Sequence, residues 1–149
     1  MSANVRQRIL RLGGIMLVVL GLLHIAVTPF IIQLIANNTT NEATQWLTPP
    51  MLLNHIVVGI LLLPLGALTF YSAPYAVKRE RWALVVTRVT CTTVAILPVM
   101  LFSLMGTRYF DATPFIIATI ILCLACATIF AAAFWPHQRR ENNFRVNNQ

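Results

Sequence analysis

Two histidines stand inside apolar stretches of the chain, His24 and His55, with Thr28, Gln33 and Asn54 close by in sequence. A neutral imidazole carries one donor and one acceptor and ligates metals through either ring nitrogen. Two imidazoles at one depth on neighbouring helices can hold a haem b iron from opposite sides or share a metal. They can also hydrogen-bond a quinone or another lipid-like ligand. His24 and His55 are the metal ligands only in the haem or metal case. Asn54, Thr28 and Gln33 would complete a polar pocket. A structural role competes with all of these, because a histidine near a membrane interface can cap a carbonyl or bridge two helices. Gly21, three residues before His24, and Gly59, four after His55, make room beside the rings in either case.

Arg88 is the second outlier, a lone cation about two turns inside an apolar run. Its side chain can snorkel to the headgroups. It can also hold an anionic lipid or ligand group, or serve the Ile60 carbonyl that Pro64 leaves without a partner. Pro98 frees the Val94 carbonyl in the same way, and in lipid such a carbonyl needs a substitute donor.

Other chemistries lack their residues. No Asp or Glu lies in an apolar stretch, and proton-coupled export needs an intramembrane carboxylate to load and release protons. Carboxylate-bridged diiron chemistry lacks its ligands as well. Cys91, Cys123 and Cys126 all lie within apolar stretches, where a thiol ionises poorly and packs as a small hydrophobe. No acid–base pair marks an enzyme.

The elements that position these residues are legible in the composition. The 149 residues are 58% hydrophobic and 10% charged, with a net charge of +7. A soluble domain carries about 25% charged residues, so too few polar groups remain to coat a globule. The chain reads as an all-α integral membrane protein. Its single domain covers residues 1–149, with four transmembrane helices over about 9–30, 49–71, 82–105 and 114–135 in a compact antiparallel bundle. Each stretch reaches the roughly 20 residues needed to cross a bilayer core. Thr48 is placed to cap a helix opening at Pro49, and Thr113 one opening at Pro114. Residues 137–149 form an Asn-rich flexible tail. The first stretch continues past the apolar core of a cleaved leader and reads as a retained signal anchor.

Arg6, Arg8 and Arg11 precede the first stretch, Lys78, Arg79 and Arg81 separate the second and third, and Arg139, Arg140 and Arg145 follow the fourth. The remaining two loops hold Arg108 against Glu42 and Asp111. The positive-inside rule then places both termini in the cytoplasm. Trp82 and Trp135 mark the inner interface and Trp46 the outer one. The cations are split among short segments with no aromatic platform, which disfavours nucleic acid as a partner. The bilayer is the expected partner, in a bacterial inner (plasma) membrane.

Residues Thr28–Ile32 and Thr113–Ile117 share the sequence Thr-Pro-Phe-Ile-Ile. The second copy opens a helix. The first either ends the opening span near Val27 and starts a short interfacial helix, or lets Pro29 kink a span reaching Ala36. Small residues recur at four-residue spacing at Thr87, Cys91, Ala95 and, after Val99, Ser103, and at Thr119, Cys123, Ala127 and Ala131. Gly14 and Gly21 lie in the first span, and Gly59 and Gly66 in the second. Such faces let helices approach closely, within the bundle or against another subunit. The resulting expectation is a subunit or accessory and assembly factor of a larger membrane complex, with other membrane subunits or its own copies as partners. A redox or ligand site at His24 and His55 is the alternative. An oligomeric small-solute transporter or channel comes third, since one bundle this small encloses little lumen.

Overall fold

A computed structural model describes residues 2–38, 42–105 and 113–134. In chain order the helices are α1 (Ala3–Ala26), α2 (Thr28–Asn38), α3 (Glu42–Val77), α4 (Arg81–Met105) and α5 (Thr113–Ala133), with no strand among the described residues. Four of them are long and apolar enough to cross a membrane: α1, α3 from Leu47 onward, α4 and α5. The Arg108–Asp111 loop, Trp135, the tail and the Trp46 side chain lie outside the described residues.

The helix ends follow from local chemistry. The Ser2 hydroxyl accepts the Val5 N–H at 3.4 Å from extended backbone, so α1 starts at Ala3, and Arg6, Arg8 and Arg11 are helical. The chain breaks at Val27. Thr28 precedes a proline, which disfavours helical backbone, and Pro29 has no N–H to offer Ile25. Of the two readings of this segment, the structure shows the break, and α2 restarts with Pro29 in its first turn.

The expected start of the second span at Pro49 is corrected. α3 begins at Glu42 and carries Pro49 and Pro50 within it, so Thr48 is no cap. A proline pair removes only the bonds to the carbonyls of residues 45 and 46, and the helix runs through that gap. A proline at the first turn and one further along read alike in sequence.

At its other end, α3 closes with the Glu80 N–H on the Tyr75 carbonyl at 3.0 Å and the Arg79 N–H on the Ala76 carbonyl at 3.2 Å. Arg79 takes φ 66°, the left-handed position that such a closure usually gives to glycine. A side chain there costs about 1–2 kcal/mol of backbone strain.

Packing radiates from α1, which lies against α3 and α5, while α4 lies against the same two helices. Leu10, Leu17 and Leu20 of α1 are buried with Leu62, Val94, Leu122 and Ile129. The α1–α3 seam is glycine-lined. A Cβ placed on Gly66 would lie 2.6 Å from the Gly14 carbonyl oxygen, and one on Gly21 would lie 2.8 Å from that of Gly59. On each helix the two glycines of this seam lie seven residues apart, and opposed numbers sum to 80 in both pairs, so the two helices run antiparallel in one fixed register. Gly13, one residue round the helix, meets Ile129 of α5.

One small-residue ladder needs correction as a packing face. On α5, Thr119 is buried but Ala127 and Ala131 are exposed; the buried face runs Thr119, Leu122, Ala125, Ile129 and Ala132. A strict four-residue step drifts about 40° per step on a 3.6-residue helix, so such a ladder leaves the core within three steps. The α4 ladder behaves likewise: Thr87 and Cys91 are buried and Ser103 is exposed.

Candidate functional site

The seam's register decides the fate of the histidines. It sets His24, in the last turn of α1, level with His55 of α3. Their rings stack with centroids 4.1 Å apart and planes 25° from parallel. The His55 Nε2–H donates to the backbone carbonyl of His24 at 2.8 Å. That carbonyl belongs to the last turn of an interrupted helix, where helical acceptors lose their usual donors. The Thr28 hydroxyl reaches the same oxygen at 3.5 Å. His55 therefore caps α1 across the seam. A carbonyl can only accept, so the Nε2 of His55 carries the proton.

This geometry bears on each chemistry the residues suggested. Haem ligation from opposite sides needs the two rings to aim nitrogens at one iron across a macrocycle, each about 2.0–2.1 Å from the metal, as in other histidine–metal bonds. Rings stacked 4.1 Å apart leave no macrocycle between them, and one Nε2 is already committed to a carbonyl. The residues as arranged do not fit that group. Among the described residues, no group of three or more His, Cys, Asp or Glu side chains could hold a metal ion. The structure brings His24, His55 and Thr28 together. Asn54 and Gln33 are exposed, and neither is hydrogen-bonded to the stacked rings.

The phenylalanines of the repeated segment meet nearby. Phe30 and Phe115 occupy the same place in the two copies, and their rings pack edge to face at 6.4 Å. This end of the helices thus joins the α1–α2 break to the start of α5.

Two carbonyls freed by proline follow different courses. That of Val94, opposite Pro98, receives the Cys126 thiol from α5 at 3.5 Å. This gives one of the three cysteines a packing role and supplies the donor that lipid withholds. The Ile60 carbonyl does not receive Arg88. Thr87, next to Arg88, shares a 3.3 Å hydroxyl–hydroxyl bond with Ser72. Ile60 lies twelve residues from Ser72, about 18 Å along α3, beyond an arginine's reach.

Arg88 instead belongs to a cluster at the opposite end of the helices. Its guanidinium carbon lies 5.5 Å from the centre of the Phe134 ring. Arg6 of α1 donates through Nε to the Ala132 carbonyl at 2.7 Å, capping the last turn of α5. Arg79 and Arg88 are both close enough to repel its charge. Among the described side chains the only carboxylate is Glu80, and it accepts the Trp82 indole N–H at 2.7 Å. Trp82 also packs on Tyr75 at 5.1 Å and Tyr71 at 6.4 Å, an aromatic girdle at the same end.

Sequence reasoning singled out Arg88 and missed Arg6 and Arg79 as its companions. The signal for Arg79 was a helix stop without glycine or asparagine in Val-Lys-Arg-Glu-Arg, which leaves a bulky residue in the left-handed position. No local signal placed Arg6 against α5, because that contact spans 126 residues of chain. No protein-family model, curated protein or solved structure matches the chain.

Proposed function

We propose that this chain is a small non-enzymatic membrane subunit or accessory factor that packs against helices of a larger membrane complex. The observation that supports this most directly is the outward face of α5. Ala127 and Ala131 lie one turn apart and exposed there, flanked by Ile120, Leu124 and Phe130. Lipid tails are as apolar as leucine, so helices in a bilayer associate where small side chains let backbones approach. The α1–α3 seam shows this chain using that device internally. The α5 face offers it outward.

The proposal includes a compact antiparallel four-helix bundle in a bacterial inner membrane, with the arginine end cytoplasmic. Arg6, Arg8, Arg11, Lys78, Arg79 and Arg81 gather at that end, as the positive-inside rule requires. The histidine pair then lies towards the outer leaflet as a clasp between α1 and α3.

The test is purification from native membrane in mild detergent, with wild type beside Ala131→Leu. A specific membrane partner retained by wild type and lost by the variant, at unchanged helicity, supports the proposal. A wild-type chain that runs as a stable monomer and retains no partner overturns it.

A further inference from the structure

An apolar groove of about 280 Å³ runs between α4 and α5, lined by Cys91, Ala95 and Val99 on one side and Phe130 and Phe134 on the other. Cys91 to Val99 spans about 12 Å of helix, so the groove is elongated along the helix axes. It opens at the arginine end. Phe134 is its last lining residue, and the Arg88 guanidinium stands over that same ring.

Two guanidiniums stand at that mouth: Arg88 over the Phe134 ring and Arg6 held against the Ala132 carbonyl. Arg79, at the turn between α3 and α4, adds a third positive charge that acts on Arg6. It also holds a left-handed backbone where glycine would be unstrained. Guanidinium forks match phosphate oxygens in shape and charge, and basic pockets between transmembrane helices take acidic lipid headgroups. A phosphate would relieve the repulsion, and a chain attached to it would enter the groove beside Phe134.

We propose that the arginine cluster and the α4–α5 groove form one binding site for an anionic glycerophospholipid, with its phosphate on Arg6, Arg79 and Arg88 and an acyl chain along Cys91, Ala95 and Phe130. The site rests on the groove and the arginines and not on the proposed partner, although Phe130 borders both the groove and the Ala127–Ala131 face. It takes lipid from the leaflet at the arginine end, whichever side of the membrane that is.

The test uses the full chain in mild detergent, titrated with dioleoyl-phosphatidylglycerol, dioleoyl-phosphatidylcholine or inorganic phosphate and read by native mass spectrometry. Wild type should retain phosphatidylglycerol in preference to phosphatidylcholine and should not retain phosphate alone. Each cation near an anionic headgroup contributes about fivefold in affinity, so Arg79→Gln with Arg88→Gln should lower phosphatidylglycerol retention by about 25-fold. Ala95→Phe, which fills the groove, should weaken both lipids. Arg8→Gln with Arg11→Gln removes two cations from the same end but from outside the cluster, and should leave the preference intact. Circular dichroism confirms folding of every variant. Equal retention of the two lipids, or an equal loss in the Arg8/Arg11 variant, overturns the site. So does retention of phosphate alone as tightly as lipid, or an unchanged Arg79/Arg88 variant.

Discussion

Substituting Gly66 by alanine should pry α1 from α3. The added Cβ would lie 2.6 Å from the Gly14 carbonyl oxygen and 2.8 Å from both the Val18 amide nitrogen and its Cγ2. Ordinary contact begins near 3.4 Å, so the two backbones must separate by about 0.6–0.8 Å at this level. Two of the three obstacles are backbone or fixed by it, and neither can swing aside. Overpacking of this kind costs about 1–3 kcal/mol, and the better helix propensity of alanine returns about 0.5–1 kcal/mol. Taken at the middle of both ranges, the net destabilisation is about 1 kcal/mol. Gly13→Ala tests the α1–α5 contact in the same way. Its Cβ would enter the space of Ile129 Cγ1, near the root of a buried β-branched side chain with one favoured rotamer, so it too should destabilise. In the pair Gly14→Ala with Gly66→Ala, the second substitution enters a gap the first has opened, so the double loss should fall short of the sum. Reversible unfolding in mixed micelles, followed by circular dichroism, measures wild type, the double variant and the single variants Gly13→Ala, Gly14→Ala and Gly66→Ala. A Gly66→Ala or Gly13→Ala protein as stable as wild type would refute the close-approach reasoning.

The other predictions concern bonds that cross between helices. His55→Phe keeps a ring on His24 but removes the donor to its carbonyl, and should cost about 0.6 kcal/mol, the mean for interhelical hydrogen bonds in membranes, and no more than about 1.7 kcal/mol; His55→Ala, which also loses the stack, should unfold at still lower denaturant. Cys126→Ala withdraws the donor from the Val94 carbonyl opposite Pro98 and should lower the unfolding midpoint, whereas Cys126→Ser, a stronger donor, should restore it. Arg79→Gly should raise stability by about 1 kcal/mol through relief of the left-handed backbone while weakening phosphatidylglycerol retention about fivefold; a variant that gains stability and keeps full retention would remove Arg79 from the lipid site.

Much of this architecture was legible before any coordinates. The four apolar helices follow from length and hydropathy, because a closed barrel needs alternating ten-residue segments that the chain lacks, and a helix is the other way to satisfy a backbone in lipid. The break at Val27 was one of two readings of Thr-Pro-Phe, the other being a kink at Pro29, and the need for a donor opposite Pro98 was readable from the missing proline N–H. The α3 start was not, because Pro49 and Pro50 satisfy the rule for a first turn as well as they fit a helix already under way. The α5 ladder misled because a four-residue step and a 3.6-residue turn diverge. The shared depth of His24 and His55 could be counted from the span ends, but their stacking could not. It depends on a register set by Gly14 with Gly66 and Gly21 with Gly59. The equal seven-residue spacing of those glycines was in the sequence, and aligning the two pairs antiparallel would have set the histidines level.

The central claim is that the outward face of α5 meets another membrane protein. Photo-crosslinking in native membranes tests it directly, with a benzoyl-phenylalanine replacing Leu124, a bulky exposed residue beside the Ala127–Ala131 pair, or, as a comparison on another helix, the exposed Val85 of α4. A discrete protein adduct from position 124 and none from position 85 is the predicted result. Adducts at neither position, or equally at both, would contradict the account.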